Sequence, residues 1–310
     1  MSCVLGIDIG GTNTEFGLVD REGKIHFSSR VKTRQHATPE SLAQSIYDTL
    51  QSDVDDIQIT AIGIGTPNGN YYKGTIEFAP NLEWKGVIEL AKIFQGQFEL
   101  PVKVANDANA AAHGEMLFGA ARGLRDFLVV TLGTGLGSGF VCNGEVLYGN
   151  TGMAGELGHV VIHPAGRECK CGRKGCLERY ASSTGFMITT KELLELTDSA
   201  SPLKDIPSSE LHASDVDKAA RNGDVLALEV FNRTARELAR GLATAVAITS
   251  PEVIILCGGL AKSGELLLEP TRRCLEEELL QVFKKTVAIR ASGLRDGNVA
   301  ILGAAALGWK

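Results

Sequence analysis

The sequence lacks any apolar run long enough to cross a bilayer. The longest, such as Ala300 to Trp309, fall short of the required length of about 20 residues, so no membrane partner is expected. It also lacks a long Lys/Arg run, and 31 basic against 37 acidic residues leave a net charge of −6. That balance argues against a duplex nucleic acid partner, though not against ATP, whose phosphates are met locally by backbone N–H groups and Mg²⁺. No basic n-region opens the chain, and its first apolar stretch is broken at Asp8, so no secretory signal is expected and the location should be cytoplasmic. Aromatic residues are sparse at 6%, and no low-complexity segment is present. With 44% apolar and 22% charged residues, the composition excludes disorder and collagen. At about 150 residues per domain, 310 residues predict two domains with cores that need no disulfides.

Strand, glycine turn, strand occurs twice. Val4–Ile9 reads as an apolar strand, followed by Gly10-Gly11-Thr12-Asn13 and a second strand over Glu15–Val19. About 123 residues later, Phe127–Leu132 runs into Gly133-Thr134-Gly135-Leu136-Gly137, then Phe140-Val141-Cys142 and the hairpin signal Asn143-Gly144. That interval is too long for a solenoid and suggests two related domains. Further strands are expected at Ile25–Arg30, Ile57–Gly65, Val102–Ala105, Val253–Cys257 and Val287–Arg290. Helices are expected where Leu42, Ile46 and Leu50 follow Thr38-Pro39-Glu40, and over Ala108–Leu117, Asp224–Ala247, Gly264–Phe283 and Gly297–Leu307. Thr197–Leu211 reads as loop.

Each glycine turn lets backbone N–H groups approach an anion closely, and Thr12 and Thr134 add hydroxyl donors. Neither turn is a P-loop, because no Gly-Lys-Ser/Thr follows, and neither opens a helix as a dinucleotide fingerprint would. One such turn is most simply a tight hairpin; two, each with a threonine, suggest two jaws on one polyphosphate. Asn106-Asp107 lies between a strand and a helix. An N-cap role is sufficient to explain it, yet a carboxylate held there is also placed to take a hydroxyl proton.

Seven cysteines is an odd number, and Cys169, Cys171 and Cys176 lie within eight residues. With His159 they give H-x₉-C-x-C-x₄-C, which fits a closed Cys₃His zinc site in a reducing compartment. The alternative is a set of free thiols, since a Cys-x-Cys pair does not easily close on itself. Four protein ligands leave no open position, so such a zinc is structural. Glu156 and Glu178 flank the site. Either would serve as a surface carboxylate, or with the second ring nitrogen of His159 could grip adjacent hydroxyls of a polyol.

Together these segments resemble the ROK family of sugar kinases and repressors over nearly the whole chain. Asp8-Ile-Gly-Gly-Thr-Asn13 resembles its first phosphate loop and Leu132-Gly-Thr-Gly-Leu-Gly-Ser-Gly139 its second. Pro80-Asn81-Leu82-Glu83-Trp84 is similar to its sugar loop, and Asn106-Asp107-Ala-Asn-Ala-Ala-Ala112 to its catalytic segment. Glu156-Leu-Gly-His159 and Cys169-Lys-Cys-Gly-Arg-Lys-Gly-Cys-Leu-Glu178 resemble its most specific signature. The resemblance implies a duplicated, two-domain α/β fold, actin-like (ribonuclease H-like), with a central cleft. The N-terminal domain would be 1–118 plus 297–310, and the C-terminal domain with the zinc-binding loop 119–296. It implies ATP-dependent phosphorylation of a hexose 6-hydroxyl, with Asp107 as the base. Asn81, Asn106, Asp107, Glu156, His159 and Glu178 would hold the sugar, with Gly65 in a loop that faces it. Gly10, Gly11, Thr12, Asn13, Thr134 and Gly135 would border the phosphates, Asp8 would lie near Mg²⁺ through water, and Gly258-Gly259 would lie by the adenosine. His159, Cys169, Cys171 and Cys176 would bind zinc. Family habit suggests a homodimer.

One segment departs from the family pattern. Where Gly-x-Pro-Gly is usual, the chain reads Gly65-Thr66-Pro67-Asn68-Gly69, which leaves the sugar open among glucose, fructose, mannose, N-acetylglucosamine and N-acetylmannosamine. Glu178 near the anomeric end favours an aldopyranose, and so a glucokinase feeding glycolysis. His113 in the Ala-rich helix reads as a packing or solvent-facing residue. A repressor of the same family would carry a helix-turn-helix ahead of the first strand, which here begins at Val4. A non-catalytic actin-like nucleotide-binding protein would need neither the zinc cluster nor the Glu156–His159–Glu178 set.

Overall fold

A computed structural model describes residues 1–54, 57–294 and 299–309 of the chain. Continuous apolar runs bounded by glycine form strands covered on both faces. β1 (Ser2–Ile9) buries Val4, Leu5, Ile7 and Ile9 completely. The chain turns at Gly10 and returns antiparallel as β2 (Asn13–Val19), then β3 (Ile25–Lys32). α1 (Pro39–Asp53) starts where the Thr38 hydroxyl accepts the Ser41 N–H and Pro39 occupies the first turn. β4 (Gln58–Thr66) leads into a small three-stranded sheet of β5 (Gly69–Asn70), β6 (Thr75–Glu77) and β7 (Val87–Ile88). α2 (Leu90–Phe98), β8 (Val102–Asn106) and α3 (Asp107–Phe118) follow.

The second motif is β9 (Phe127–Leu132), β10 (Leu136–Cys142) and β11 (Glu145–Val146). Then come α4 (Glu178–Ala181), α5 (Ser183–Leu196), α6 (Ala213–Arg221) and α7 (Val225–Thr249), the last capped by the Asp224 carboxylate on the Ala227 N–H. β12 (Val253–Cys257), α8 (Glu265–Glu278), β13 (Ala288–Ala291) and α9 (Val299–Gly308) close the chain.

The chain divides into two compact units. The first comprises Met1–Arg125, Gly139–Gly155 and Ser292–Lys310. Its five-stranded sheet runs β3-β2-β1-β4-β8, with β4 parallel to both β1 and β8. Leu5, Ile7 and Ile64 join Leu42, Ile46, Leu50, Leu90 and Phe94 in one core, each contributing about 1.5–3 kcal/mol of burial. α9 lies close against β1 and β4: a Cβ on Gly6 would strike the Ile301 carbonyl, and one on Gly63 the Ala304 carbonyl. The second unit comprises Asp126–Ser138 and Glu156–Ala291. The second sheet runs β11-β10-β9-β12-β13, and β12 is parallel to β9 and β13. Its order repeats that of the first sheet, so the fold is the duplicated, actin-like one.

The described residues differ from the sequence reading in several elements. The helix expected over Gly264–Phe283 ends at Glu278, because Leu279 turns extended (φ −70, ψ 141); Gln281–Phe283 is a separate turn. Within the expected loop Thr197–Leu211, Pro202–Asp205 makes a short helical turn. The expected helix Gly297–Leu307 is helical from Val299; Gly297 lies outside the described residues. α2, α5, α6 and the small sheet have no counterpart among the expected elements.

Candidate active site and metal centre

In the first unit the candidate residues collect at the carboxyl ends of parallel strands, where open α/β sheets bind ligands. Asp8 lies opposite Gly65 in the β1–β4 register, and Gly65 lies opposite Ala105 in β4–β8. A Cβ on Gly65 would sit 3.5 Å from Asp8 Oδ1, 3.8 Å from Asp107 Cα and 3.3 Å from the Ala110 methyl. A side chain there would press on the Ala110 methyl and fill the space beside Asp8 Oδ1 and the start of α3. Asn106 caps α3: its Oδ1 accepts the Ala108 N–H at 2.9 Å, a donor shared with Asp107 Oδ1 at 2.8 Å. Solvent reaches the Asp107 carboxylate. Packed protein on its other sides nonetheless desolvates it and raises its pKa, against the Ala108 N–H that favours the charged form. Asp8 is half-buried and is raised as well. Desolvation, then the charges of Asp107 and Glu15, push it up to about 7.

The first glycine turn is closed by the Gly10 N–H on the Asn13 carbonyl at 3.0 Å. Gly11 packs so closely on the Asn81 carbonyl that no side chain fits, which brings the turn against the Pro80–Trp84 segment. Asn81 itself is exposed, while Leu82 and Trp84 on either side of Glu83 are buried and Trp84 Nε1 donates to the His36 carbonyl. Thr12 is exposed, and Asn13 begins β2 opposite Lys32.

The departure at Asn68 has a conformational explanation. Its φ is +52, the left-handed region in which glycine is at ease and asparagine tolerated. Its Nδ2 donates to the Glu77 carbonyl at 2.9 Å, and its own carbonyl accepts the Glu77 N–H at 3.1 Å. Asparagine thus keeps the backbone of the glycine it replaces and clasps β6, which precedes the Asn81 segment. His113 is a packing residue: it is 1% exposed, and its Nε2 lies 2.7 Å from the Tyr148 hydroxyl.

In the second unit, β9 is followed by the turn Gly133–Gly135, and β12 by Gly258. The Gly133 N–H donates to the Gly135 carbonyl at 3.0 Å. Gly258 (φ +91) abuts the Leu132 backbone, so the two glycine segments are neighbours. Gly259 faces open space, and nothing there demands a glycine.

The four metal-ligand candidates converge. Donor atoms of His159, Cys169, Cys171 and Cys176 all lie within 4.8 Å of one another. Cys171 Sγ is 3.6 Å from Cys176 Sγ, and His159 Nδ1 is 3.7 Å from Cys169 Sγ. A zinc tetrahedron with bonds of about 2.3 Å to sulfur and 2.0 Å to nitrogen has edges of about 3.5–3.8 Å, so the donor set fits zinc. Burial opposes ionisation of Cys171, but hydrogen bonds from the Arg173 N–H and guanidinium bring it down to about 6. With Nδ1 turned to the sulfurs, His159 Nε2 faces outward, 4.0 Å from Glu156 Oε2. Glu178 bridges this cluster and the glycine turn. Its Oε1 is 3.5 Å from Cys169 Sγ, and its Oε2 accepts the Leu136 N–H at 3.2 Å.

Motifs do not reveal what holds these loops. The Arg167 guanidinium spans the Arg179 and Gly185 carbonyls, Thr189 Oγ1 and Glu192, tying the cysteine loop to α5. Ser183 and Thr184 grip the second glycine turn. The sequence offers no signal for either, because their partners, backbone groups among them, lie at a distance along the chain.

Among the described residues, no helix is long and apolar enough to cross a membrane. The ROK family model matches residues 4–310. The glucokinase of Thermotoga maritima is 36% identical over 310 residues, covering 98% of this chain and 96% of that protein. The glucokinase of Streptomyces coelicolor is 34% identical, covering 99% and 98%. The xylose repressor of Caldicellulosiruptor bescii is 30% identical, covering 98% of this chain but 77% of the repressor. Among solved structures, a ROK family glucokinase from Streptomyces griseus in complex with glucose and AMPPNP superposes with a TM-score of 0.85 at 34% identity, covering 99% of each chain. A ROK family transcriptional regulator, a homologue of the Escherichia coli MLC protein, superposes at 0.89 and 28% identity, with 77% of that chain covered. Sequence motifs, sheet order and full-length similarity agree, and the chain belongs to the ROK family.

Proposed function

We propose that this protein is an ATP-dependent hexose kinase that phosphorylates the 6-hydroxyl of glucose. The observation that carries the reading is Asp107: a solvent-accessible carboxylate of raised pKa, held at the head of α3 beside Asp8. Phosphoryl transfer needs positioning and charge neutralisation more than covalent help. Asp107 would orient the sugar 6-hydroxyl and accept its proton. In the first unit Asn81 and Asn106 would hold the sugar, and Gly10, Gly11, Thr12 and Asn13 would border phosphate oxygens. In the second, Glu156 and Glu178 would present acceptors and His159 Nε2–H a donor to adjacent hydroxyls, Thr134 and Gly135 would offer phosphate donors, and Gly258 and Gly259 would border the adenosine. Asp8 would hold Mg²⁺ through water, and the ion would neutralise charge on the transferring phosphoryl group. The cysteine loop would hold a structural zinc that fixes the outward face of His159.

Glucose is favoured by the relatives named above and by the conformational role of Asn68, which leaves the backbone of the sugar loop as glycine would have it. A fructose, N-acetylglucosamine or N-acetylmannosamine kinase differs only in pocket contacts. The repressor relatives favour a second reading, a sugar-responsive regulator that binds sugar without turning it over. A coupled ADP-release assay with Mg-ATP and a hexose panel separates them. Glucose turnover is expected, with Asp107→Asn lowering kcat by about 10²–10⁴ while sugar binding persists. Sugar binding without turnover in the wild type would favour the regulator. Near-normal turnover in Asp107→Asn would refute the base.

A further inference from the structure

The second glycine turn has its peptide planes fixed from outside. The Gly133 carbonyl accepts the Ser183 N–H at 2.8 Å, and the Thr134 carbonyl accepts the Thr184 hydroxyl at 2.7 Å. A trans peptide is planar, with its C=O and N–H pointing opposite ways. Pinning the Gly133 carbonyl therefore aims the Thr134 N–H away from α5, and pinning the Thr134 carbonyl aims the Gly135 N–H the same way. The other donors of the turn are already committed: Gly133 N–H to Gly135, Leu136 N–H to Glu178 and Gly137 N–H to Thr131 Oγ1. Among the described residues, the Thr134 and Gly135 N–H groups are the two in residues 133–137 without a protein partner.

We infer that Thr184 is a positioning residue for the nucleotide: its hydroxyl holds the Thr134 peptide carbonyl inward so that the Gly135 N–H faces a phosphate oxygen. The inference rests on the kinase reading and adds to it a residue outside every motif. Without the hydroxyl, the Thr134–Gly135 peptide is free to rotate, and its carbonyl can swing toward the phosphate, where a negative dipole end repels the anion. Preorganised donors lose their advantage once the plane must be fixed at binding. Thr184 is half-buried in the first turn of α5, so valine fits in its place and removes only the hydrogen bond.

The test is calorimetric titration of the full-length protein with Mg·ADP and, separately, with glucose. Thr184→Val should weaken Mg·ADP roughly three- to tenfold, the worth of one hydrogen bond. Glucose affinity should be unchanged and Thr184→Ser should restore nucleotide binding. In steady state, KM for ATP should rise with KM for glucose unaltered. A loss of both affinities together would mark a general structural role and overturn the inference, as would wild-type nucleotide affinity in Thr184→Val. No nucleotide binding by the wild-type chain would overturn the kinase reading and this inference with it; a normal wild type beside an unaffected variant overturns the positioning role alone.

Discussion

Replacing Asp8 with asparagine should stabilise the ligand-free protein at pH 8 while removing its activity. The Asp8 carboxyl titrates at about 7 in the fold against an ordinary 3.8, through desolvation first and the charges of Asp107 and Glu15 second. At about 1.36 kcal/mol per pKa unit, that difference is about 4 kcal/mol, and partial exposure reduces it to about 2–4 kcal/mol. The folded state binds the proton more tightly than the unfolded state does, so Asp8 costs nothing below 3.8. Its penalty grows as pH rises from 3.8 to about 7 and is constant above. The neutral amide of Asp8→Asn carries no such penalty. Both tryptophans, Trp84 and Trp309, belong to the first unit, so denaturant unfolding followed by tryptophan fluorescence reports the unit that holds Asp8. Asp8→Asn should exceed the wild type at pH 8 by about 2–4 kcal/mol, and by only about 1.5 kcal/mol at pH 5. On the kinase reading, turnover should fall sharply, because the neutral amide cannot offer Mg²⁺ the charge that the Asp8 carboxylate would. Equal stabilities at pH 8, or a difference independent of pH, would refute the electrostatic account.

Two further outcomes test the loops. Elemental analysis of the purified protein should find a single zinc per chain, lost in Cys176→Ser together with glucose affinity; a zinc-free protein with full sugar binding would contradict the structural role of the loop. At Asn68, thermal melts should rank the wild type above Asn68→Gly, which loses the clasp on Glu77 at about 1 kcal/mol. Asn68→Ala should fall lowest, because it loses the clasp and also carries a Cβ at positive φ; an alanine variant as stable as the wild type would remove the conformational argument.

The parts of this molecule legible in its sequence are those whose signal is local. A mainly apolar run ending at a glycine turn announces β1 and β9, Thr38-Pro39 announces α1, and closely spaced thiols with His159 announce a metal site because four ligands must converge on one ion. α2 and α6 are only nine residues each, too short for periodicity to stand out from its surroundings, and β5, β6 and β7 are two or three residues long and are held by their pairing rather than by composition. The break of α8 at Leu279 is hidden because Leu280 and Val282 continue an apolar pattern although the structure exposes both. The same distinction governs the site. Glycines, Asp107 and the cysteines declare themselves by type, since few residues tolerate those geometries or perform that chemistry. What aims them does not. Thr184 meets a backbone carbonyl fifty positions away, and Arg167 meets mostly backbone and hydroxyl groups of α4 and α5. A threonine that orients a peptide plane looks, in one dimension, like any helix-start threonine. Its function resides in the direction of one hydrogen bond, which only the folded backbone specifies.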